Sequence, residues 1–278
     1  MRYLTLAALA LAAAPSLSAQ DFFGRDLSAA SSATGNGSAA YVAPGSRTNS
    51  GAAFTAFQAA LVGYTTGTID FESLGLGSTP FTTGFSGSTG LWGGFGGNGN
   101  ITNRNGNFGD GGETFQGRYS STQATLDPLG QYFRNDGDYA IDIFGNAAGT
   151  IPGAASAFGF WGVDIGDVGQ SLLIRFLSNG IEQHSFTILP NFPYDGIPTA
   201  NDGNVLFYGF ITNGFSFDRI EFESINGGDV FAFDDFQIGL LNDPPSSTVP
   251  EPATVGLLAT GLLGILIAKR RNKRSIDS

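Results

Sequence analysis

The sequence predicts an all-β fold, a jelly-roll-like β-sandwich with one short N-terminal helix. Three observations carry that prediction. There are twenty-five Phe, forty-two Gly and a single Met, a composition suited to many short strands with aromatic faces and tight turns rather than to packed helices. Short apolar or alternating runs recur between clusters of Gly, Asn and Asp, at the spacing of turn-linked strands. Asn179-Gly180 separates LLIRFLS from IEQHSFTIL, and a two-residue type I′ turn needs positive φ at both central positions, which Asn-Gly tolerates best.

Taken in order, residues 20–50 are rich in Ser, Ala and Gly with little periodicity and read as a flexible leader. Ala52 to Val62 puts Phe54, Phe57 and Leu61 on one helix face, with Asn49 or Ser50 as its cap and Gly63 as its stop. Alternation of Ile69 and Phe71 with Asp70 and Glu72 marks a strand over Gly67 to Ser73. From Gly84 to Gly117 the chain is dominated by Gly and Asn, which predicts a long loop or a set of short edge strands, with Trp92 in it. Further strands are expected at Tyr139 to Phe144, Ala157 to Ile165, Leu172 to Leu177, Val205 to Thr212, Phe215 to Glu223 and Val230 to Ile238. Phe215 and Phe217, then Ile220 and Phe222, change phase by one residue, so a bulge or bend is predicted near Asp218-Arg219. In Val230 to Ile238 both faces carry Phe, as in a central strand covered on both sides.

Both ends carry targeting features. Met1-Arg2, the apolar stretch Leu4 to Ala14 and the small residues of Leu17-Ser18-Ala19 form a secretory signal peptide over residues 1–19. At the other end stand Pro250, Glu251 and Pro252, then the uncharged run Ala253 to Ala268, then Lys269, Arg270, Arg271, Lys273 and Arg274. At about 1.5 Å per residue this run falls somewhat short of a ~30 Å hydrocarbon core, although Lys and Arg at its end can snorkel. Basic residues at both extremes face the cytoplasm, so what lies between is exported. The organisation is then signal peptide 1–19, leader 20–50, helix plus sandwich 51–241, linker 242–248 and sorting signal 249–274.

Between the targeting segments there are seven Arg, no Lys and twenty-two acids, a net charge near −15 against −11 for the whole chain. Nucleic acid is excluded as a partner by that balance. A polyanionic polysaccharide would be repelled unless a cation bridged it, whereas neutral glycans and divalent cations are compatible. With no Cys, thiol catalysis, thiolate metal sites and disulfides are excluded.

The tail resembles the PEP-CTERM sorting signal of Gram-negative bacteria, in which a Pro-Glu-Pro motif, a hydrophobic helix and an arginine-rich end are read by the membrane protease exosortase. The resemblance implies these partners: the Sec export machinery, an exosortase-type protease that cuts near Pro250 to Pro252, and the inner membrane until that cut. It implies an ectodomain first held in the periplasm, then released to the cell surface or extracellular matrix, with a role in biofilm alongside exopolysaccharide. The order IDFE, AFGFWGVDIGD, LFYGF, FDRIEF and FAFDDFQIG, over Thr68 to Leu240, also resembles jelly-roll domains of the carbohydrate-binding-module type.

In sandwiches of that type a structural calcium often lies where the first and last strands meet. Asp70, Glu72, Asp234 and Asp235 are the candidate ligands here, together with backbone carbonyls. No other cofactor is expected. By alternation Asp234 shares a face with Val230, Ala232, Phe236 and Ile238, and an unpaired buried carboxylate is costly. For glycan stacking the candidates are Trp92, Tyr194 and Tyr208, with Trp161 read as core. His184, the single histidine, is read as a solvent-facing strand residue, since no Gly-x-Ser-x-Gly elbow accompanies it. The chain is therefore read as a non-enzymatic structural or adhesive protein. The alternatives are a carbohydrate-binding module with a defined glycan and a glycan hydrolase built on two carboxylates.

Overall fold

The computed structural model describes residues 19–27, 46–72, 74–87, 89–103, 131–135, 137–163, 165–166, 170–190, 204–212, 214–225 and 231–242. Among them are one helix, Thr48–Ala60 (α1), and fifteen strands. The strands are Gln20–Leu27 (β1), Tyr64–Ile69 (β2), Gly77–Ser78 (β3), Phe81–Gly84 (β4), Ser86–Gly87 (β5), Trp92–Gly97 (β6), Asn100–Asn103 (β7) and Gln131–Asn135 (β8). They continue with Tyr139–Phe144 (β9), Ala157–Val163 (β10), Ser171–Ser178 (β11), Ile181–Ile188 (β12), Asn204–Ile211 (β13), Arg219–Ile225 (β14) and Phe231–Leu241 (β15). No helix among the described residues is long and apolar enough to cross a membrane. The signal peptide to Ser18 and the whole tail from Asp243 lie outside them.

All pairings are antiparallel, and they build two sheets that face each other across one aromatic core. The first runs β1-β13-β10-β15-β8-β7-β3, with β2 beside the second half of β15 and β5 beside β2. The second runs β12-β11-β14-β9-β6-β4. The predicted hairpin is present: β11 and β12 pair from Ser178↔Ile181, with φ of 51° at Asn179 and 75° at Gly180. On the inner face of the second sheet, the cross-strand neighbours Tyr139 and Phe222 stack at 4.2 Å, and Phe81 and Phe95 at 4.6 Å. Such pairs add about 0.5–1.5 kcal/mol each beyond the area they bury.

Helix α1 forms a third layer on the outer face of the first sheet. Phe57 is fully buried there, 5.6 Å from Phe22 and 5.4 Å from Phe207. It fits because Gly159 and Gly209 are register partners on neighbouring strands. A Cβ on Gly209 would come within 2.6 Å of the Phe57 ring, and one on Gly159 within 3.0 Å. Trp161 is buried in the same cluster, as expected, but on this outer face rather than between the sheets.

Several sequence expectations are corrected. The first eight residues of the expected leader are strand β1, whose register with β13 runs from Gln20↔Ile211 to Leu27↔Asn204. Neither Asn49 nor Ser50 caps the helix: the cap position is Arg47, without a side-chain cap bond. The capping group is instead Asp26 of β1, which accepts the Asn49 N–H at 2.9 Å, the Ser50 N–H at 2.8 Å and the Ser50 hydroxyl at 2.6 Å. These bonds span more than twenty residues, beyond the reach of any local capping pattern. Within the expected glycine-rich loop, β6 is an interior strand between β4 and β9, while residues 104–130 lie outside the described set. The strand expected over Gly67 to Ser73 ends at Ile69, and Phe71 turns out of it with φ 60°.

The central strand β15 is covered on both sides, but not because Phe lies on both faces. Its pairing with β10 shifts between Gly159↔Gln237 and Trp161↔Asp234, so β15 holds one extra residue, and Asp235 takes φ 48°. That bulge returns Phe236 and Ile238 to the inner face used by Phe231 and Phe233. Asp234 consequently lies on the helix side with Ala232, opposite Trp161, and does not share a face with Phe236 and Ile238.

Candidate functional site

Three places concentrate polar chemistry in this apolar sandwich. The first is the bulge of β15. Burial, reinforced by the charges of Asp70 and Glu72 and opposed by Arg47, pushes Asp235 up to about 7. Three of the four acids expected to share calcium thus act on one another, whereas Asp234 accepts the Asp235 N–H at 2.8 Å from the other face. Glu72 Oε1 accepts the Gln131 N–H at 3.1 Å. Among the described residues no group of three or more His, Cys, Asp or Glu is disposed to hold a metal ion.

The second place is the open end where β1 of one sheet meets β12 of the other. Asp21 Oδ1 accepts the Tyr208 hydroxyl at 2.8 Å and lies 2.9 Å from His184 Nε2. His184 stacks on Phe210 at 4.1 Å with planes 1° apart. His184 opposes Phe176 and alternates in register with Phe186 and Ile188, so it lies on the inner face, correcting its expected solvent-facing position. Tyr208 is 0% exposed, so it closes the sandwich and offers no stacking surface. Burial, reinforced by Asp21, holds its hydroxyl well above the usual tyrosine range. Tyr194 lies outside the described residues.

The third place is the outer face of the second sheet. Alternation along β6 sends Phe95 inward and leaves Trp92, Gly94 and Gly96 outward. Trp92 therefore belongs to a strand rather than to a loop. It is half-buried, opposite Gly84 on β4 and Phe144 on β9. A Cβ on Gly84 would touch the indole at 3.4 Å, and the Phe144 ring covers Gly94. Glycine on the neighbouring strands thus lets two aromatic rings lie against the sheet.

Beside these rings is a groove of about 330 Å³, floored by Gly96, Gly97 and Ala140 and bordered by charged side chains of β9, β14 and β11. The register sets those charges side by side: Asp142 opposes Arg219 across β9–β14, and Glu221 opposes Arg175 across β14–β11. Arg219 bonds Asp142 at 2.6 Å and Glu221 at 2.9 Å. Arg175 lies 2.5 Å from Glu223 and 3.4 Å from Glu182. Burial draws the Arg219 guanidinium down, but its bonds to Glu221 and Asp142 hold it above the ordinary value. None of these groove residues is a functional candidate from the sequence; only Trp92, on the neighbouring part of the face, is. Alternation of Arg219, Glu221 and Glu223 with Ile220 and Phe222 marks the face, but only the sheet order shows what stands beside it.

Comparison with known families finds the PEP-CTERM protein-sorting motif at residues 248–271. The chain carries a PEP-CTERM sorting signal. The motif implies an exported protein with a membrane-anchored sorting signal, processed by an exosortase. No curated protein matches the chain. Among solved structures, the K1 cleaved adhesin domain of Lys-gingipain from Porphyromonas gingivalis is similar at 11% identity and a TM-score of 0.34, over 63% of this chain and 98% of that one. The catalytic unit of a thermostable GH87 α-1,3-glucanase from Streptomyces thermodiastaticus is similar at 15% identity and a TM-score of 0.28, over 66% of this chain and 28% of that one.

Proposed function

We propose that the mature protein is a non-enzymatic adhesive component of the cell surface or extracellular matrix that holds a polysaccharide on the outer face of its second sheet. The observation that carries this reading is the pairing of Trp92 and Phe144 with the adjoining groove. Aromatic faces stack on the C–H faces of a sugar ring, while its hydroxyls need acceptors and donors at the rim. Here Asp142, Glu221 and Glu223 supply acceptors, and the flat glycine floor lets a pyranose approach the strands. An open, strand-walled groove suits a chain that passes across it rather than one that is cut in it.

Hydrolysis would need a pair of carboxyl groups in a cleft, one of them held protonated as general acid. Among the described residues, Asp235 has a raised pKa, and it belongs to the first sheet, where the charges of Asp70 and Glu72 act on it at the bulge. That separation from the groove supports binding without turnover. The test is retention of the mature protein on the producer's own exopolysaccharide, compared with Trp92→Ala. Saturable retention that falls at least tenfold in the variant is expected. Equal retention of the two proteins refutes the site, and reducing sugar released with time refutes the non-enzymatic reading.

A further inference from the structure

The charge of the groove selects among the glycans it could hold. We infer that its occupant is a polysaccharide bearing free amino groups, such as a wholly or partly deacetylated hexosamine polymer; this rests on the proposed glycan-binding reading. Four carboxylates line the groove, Asp138, Asp142, Glu221 and Glu223, against two guanidinium groups, Arg175 and Arg219. Both arginines are already divided between carboxylates, Arg219 between Asp142 and Glu221, Arg175 between Glu223 and Glu182. A uronate or sulfate arriving there meets a surplus of negative charge and guanidinium groups whose charge is compensated.

An ammonium group meets the reverse. Asp142 engages Arg219 through Oδ1, Glu221 engages it through Oε1, and Asp138 Oδ1 accepts the Ser224 N–H at 3.0 Å. Each carboxylate has a second oxygen, and a protonated amine can donate three hydrogen bonds to such acceptors. The nearby rings fix the distance over which this works. Trp92 pairs with Phe144, and two residues along the same strands Gly94 pairs with Asp142. A sugar ring stacked on Phe144 therefore has its neighbour along the chain directed toward Asp142, at the near edge of the groove. A basic peptide could satisfy the charges but would leave the flat rings without the sugar faces that fit them.

The experiment compares three oligosaccharides of equal length on the mature protein by calorimetry, at a pH that charges the amines: a glucosamine oligomer, its N-acetylated counterpart and an oligouronate. An oligolysine serves as the fourth ligand. The glucosamine oligomer is expected to bind at least tenfold more tightly than the acetylated one, and the oligouronate not to bind. Added salt should narrow the gap. Glu221→Gln with Glu223→Gln should abolish the preference while Trp92→Ala weakens both amino-sugar ligands. Asp138→Asn, which breaks no ion pair, should reduce the preference in a protein with unchanged melting. Equal binding of the acetylated and free forms, or a preference for the oligouronate, overturns the inference and leaves glycan binding standing. Oligolysine binding as tight as that of the glucosamine oligomer also overturns it, in favour of unselective cation attraction. Failure of every glycan overturns the proposed function itself.

Discussion

Replacing Asp235 with Asn should stabilise the protein at neutral and alkaline pH and leave it nearly unchanged in acid. Asp235 has an ordinary value of 3.8 that the fold pushes up to about 7. Between those limits the native state holds a proton that the unfolded chain has released, so stability falls as pH rises through that window. The full gap corresponds to about 4 kcal/mol, and partial relaxation brings the expected gain for the neutral variant to about 2–4 kcal/mol above pH 8. Asn suits the position because Asp235 has φ 48°, and Asn tolerates the left-handed region better than other non-glycine residues. The assay is urea and thermal unfolding of wild type and D235N in EDTA from about pH 4 to 9, with a Tm difference of about 5–15 °C expected at the alkaline end of the thermal series. A difference that stays constant across that range, or a less stable variant at alkaline pH, refutes the electrostatic account. Calcium supplies an internal control: a wild-type Tm that rises with added calcium while that of D235N does not would place a cation on Asp235, Asp70 and Glu72.

Two other perturbations follow from contacts already described. Asp26→Ala removes the acceptor for three donors at the start of α1 and should cost about 2–3 kcal/mol in urea unfolding, more than an ordinary cap, because Ser50 is fully buried. The same variant should loosen β1 and make it more susceptible to limited proteolysis, and unchanged cleavage would show that the strand is held without this clamp. Glu251→Ala should leave the uncut precursor in the membrane fraction; mature protein released at the wild-type rate would show that the Pro-Glu-Pro glutamate is not read.

The fold was legible where its signals are local. Tyr139–Phe144 was readable from alternation, and the β11–β12 hairpin from two turn residues. The same kind of signal marks β15. Phe231, Phe233, Phe236 and Ile238 show the one-residue phase change that Phe215, Phe217, Ile220 and Phe222 show, and in each case it falls at a polar pair, Asp234-Asp235 or Asp218-Arg219. Read that way, β15 yields a bulge with one inner face. Strand β1 was not legible, since QDFFGRDL alternates weakly and earns its order from partners far along the chain: Asp26 on α1, Asp21 on His184 and Tyr208, and a full register with β13. Of the candidate residues, Trp92 could be named by type alone. Phe144 and the charges beside it could not, because their proximity is a property of sheet order.

The arginines connect the composition to the choice of ligand. Seven arginines and no lysine serve the chain between its targeting segments, and those described are engaged within the fold. Arg25 donates to the Leu189 carbonyl at 2.9 Å, its pKa drawn down to about 10 by burial. Arg47 lies 5.8 Å over the Trp161 ring, and Arg175 and Arg219 tie the strands of the second sheet. Positive charge this scarce, placed between carboxylates, offers a polyanion little to bind. The acids outnumber it three to one, and the field of those exposed to solvent is screened within about 8 Å at physiological salt. On the proposed reading a protein so composed disfavours uronate-rich or sulfated polymers and admits amino sugars at the groove. Its selectivity should therefore persist, in weaker form, in a Trp92→Ala variant that has lost the stacking surface, because the two contributions come from different groups.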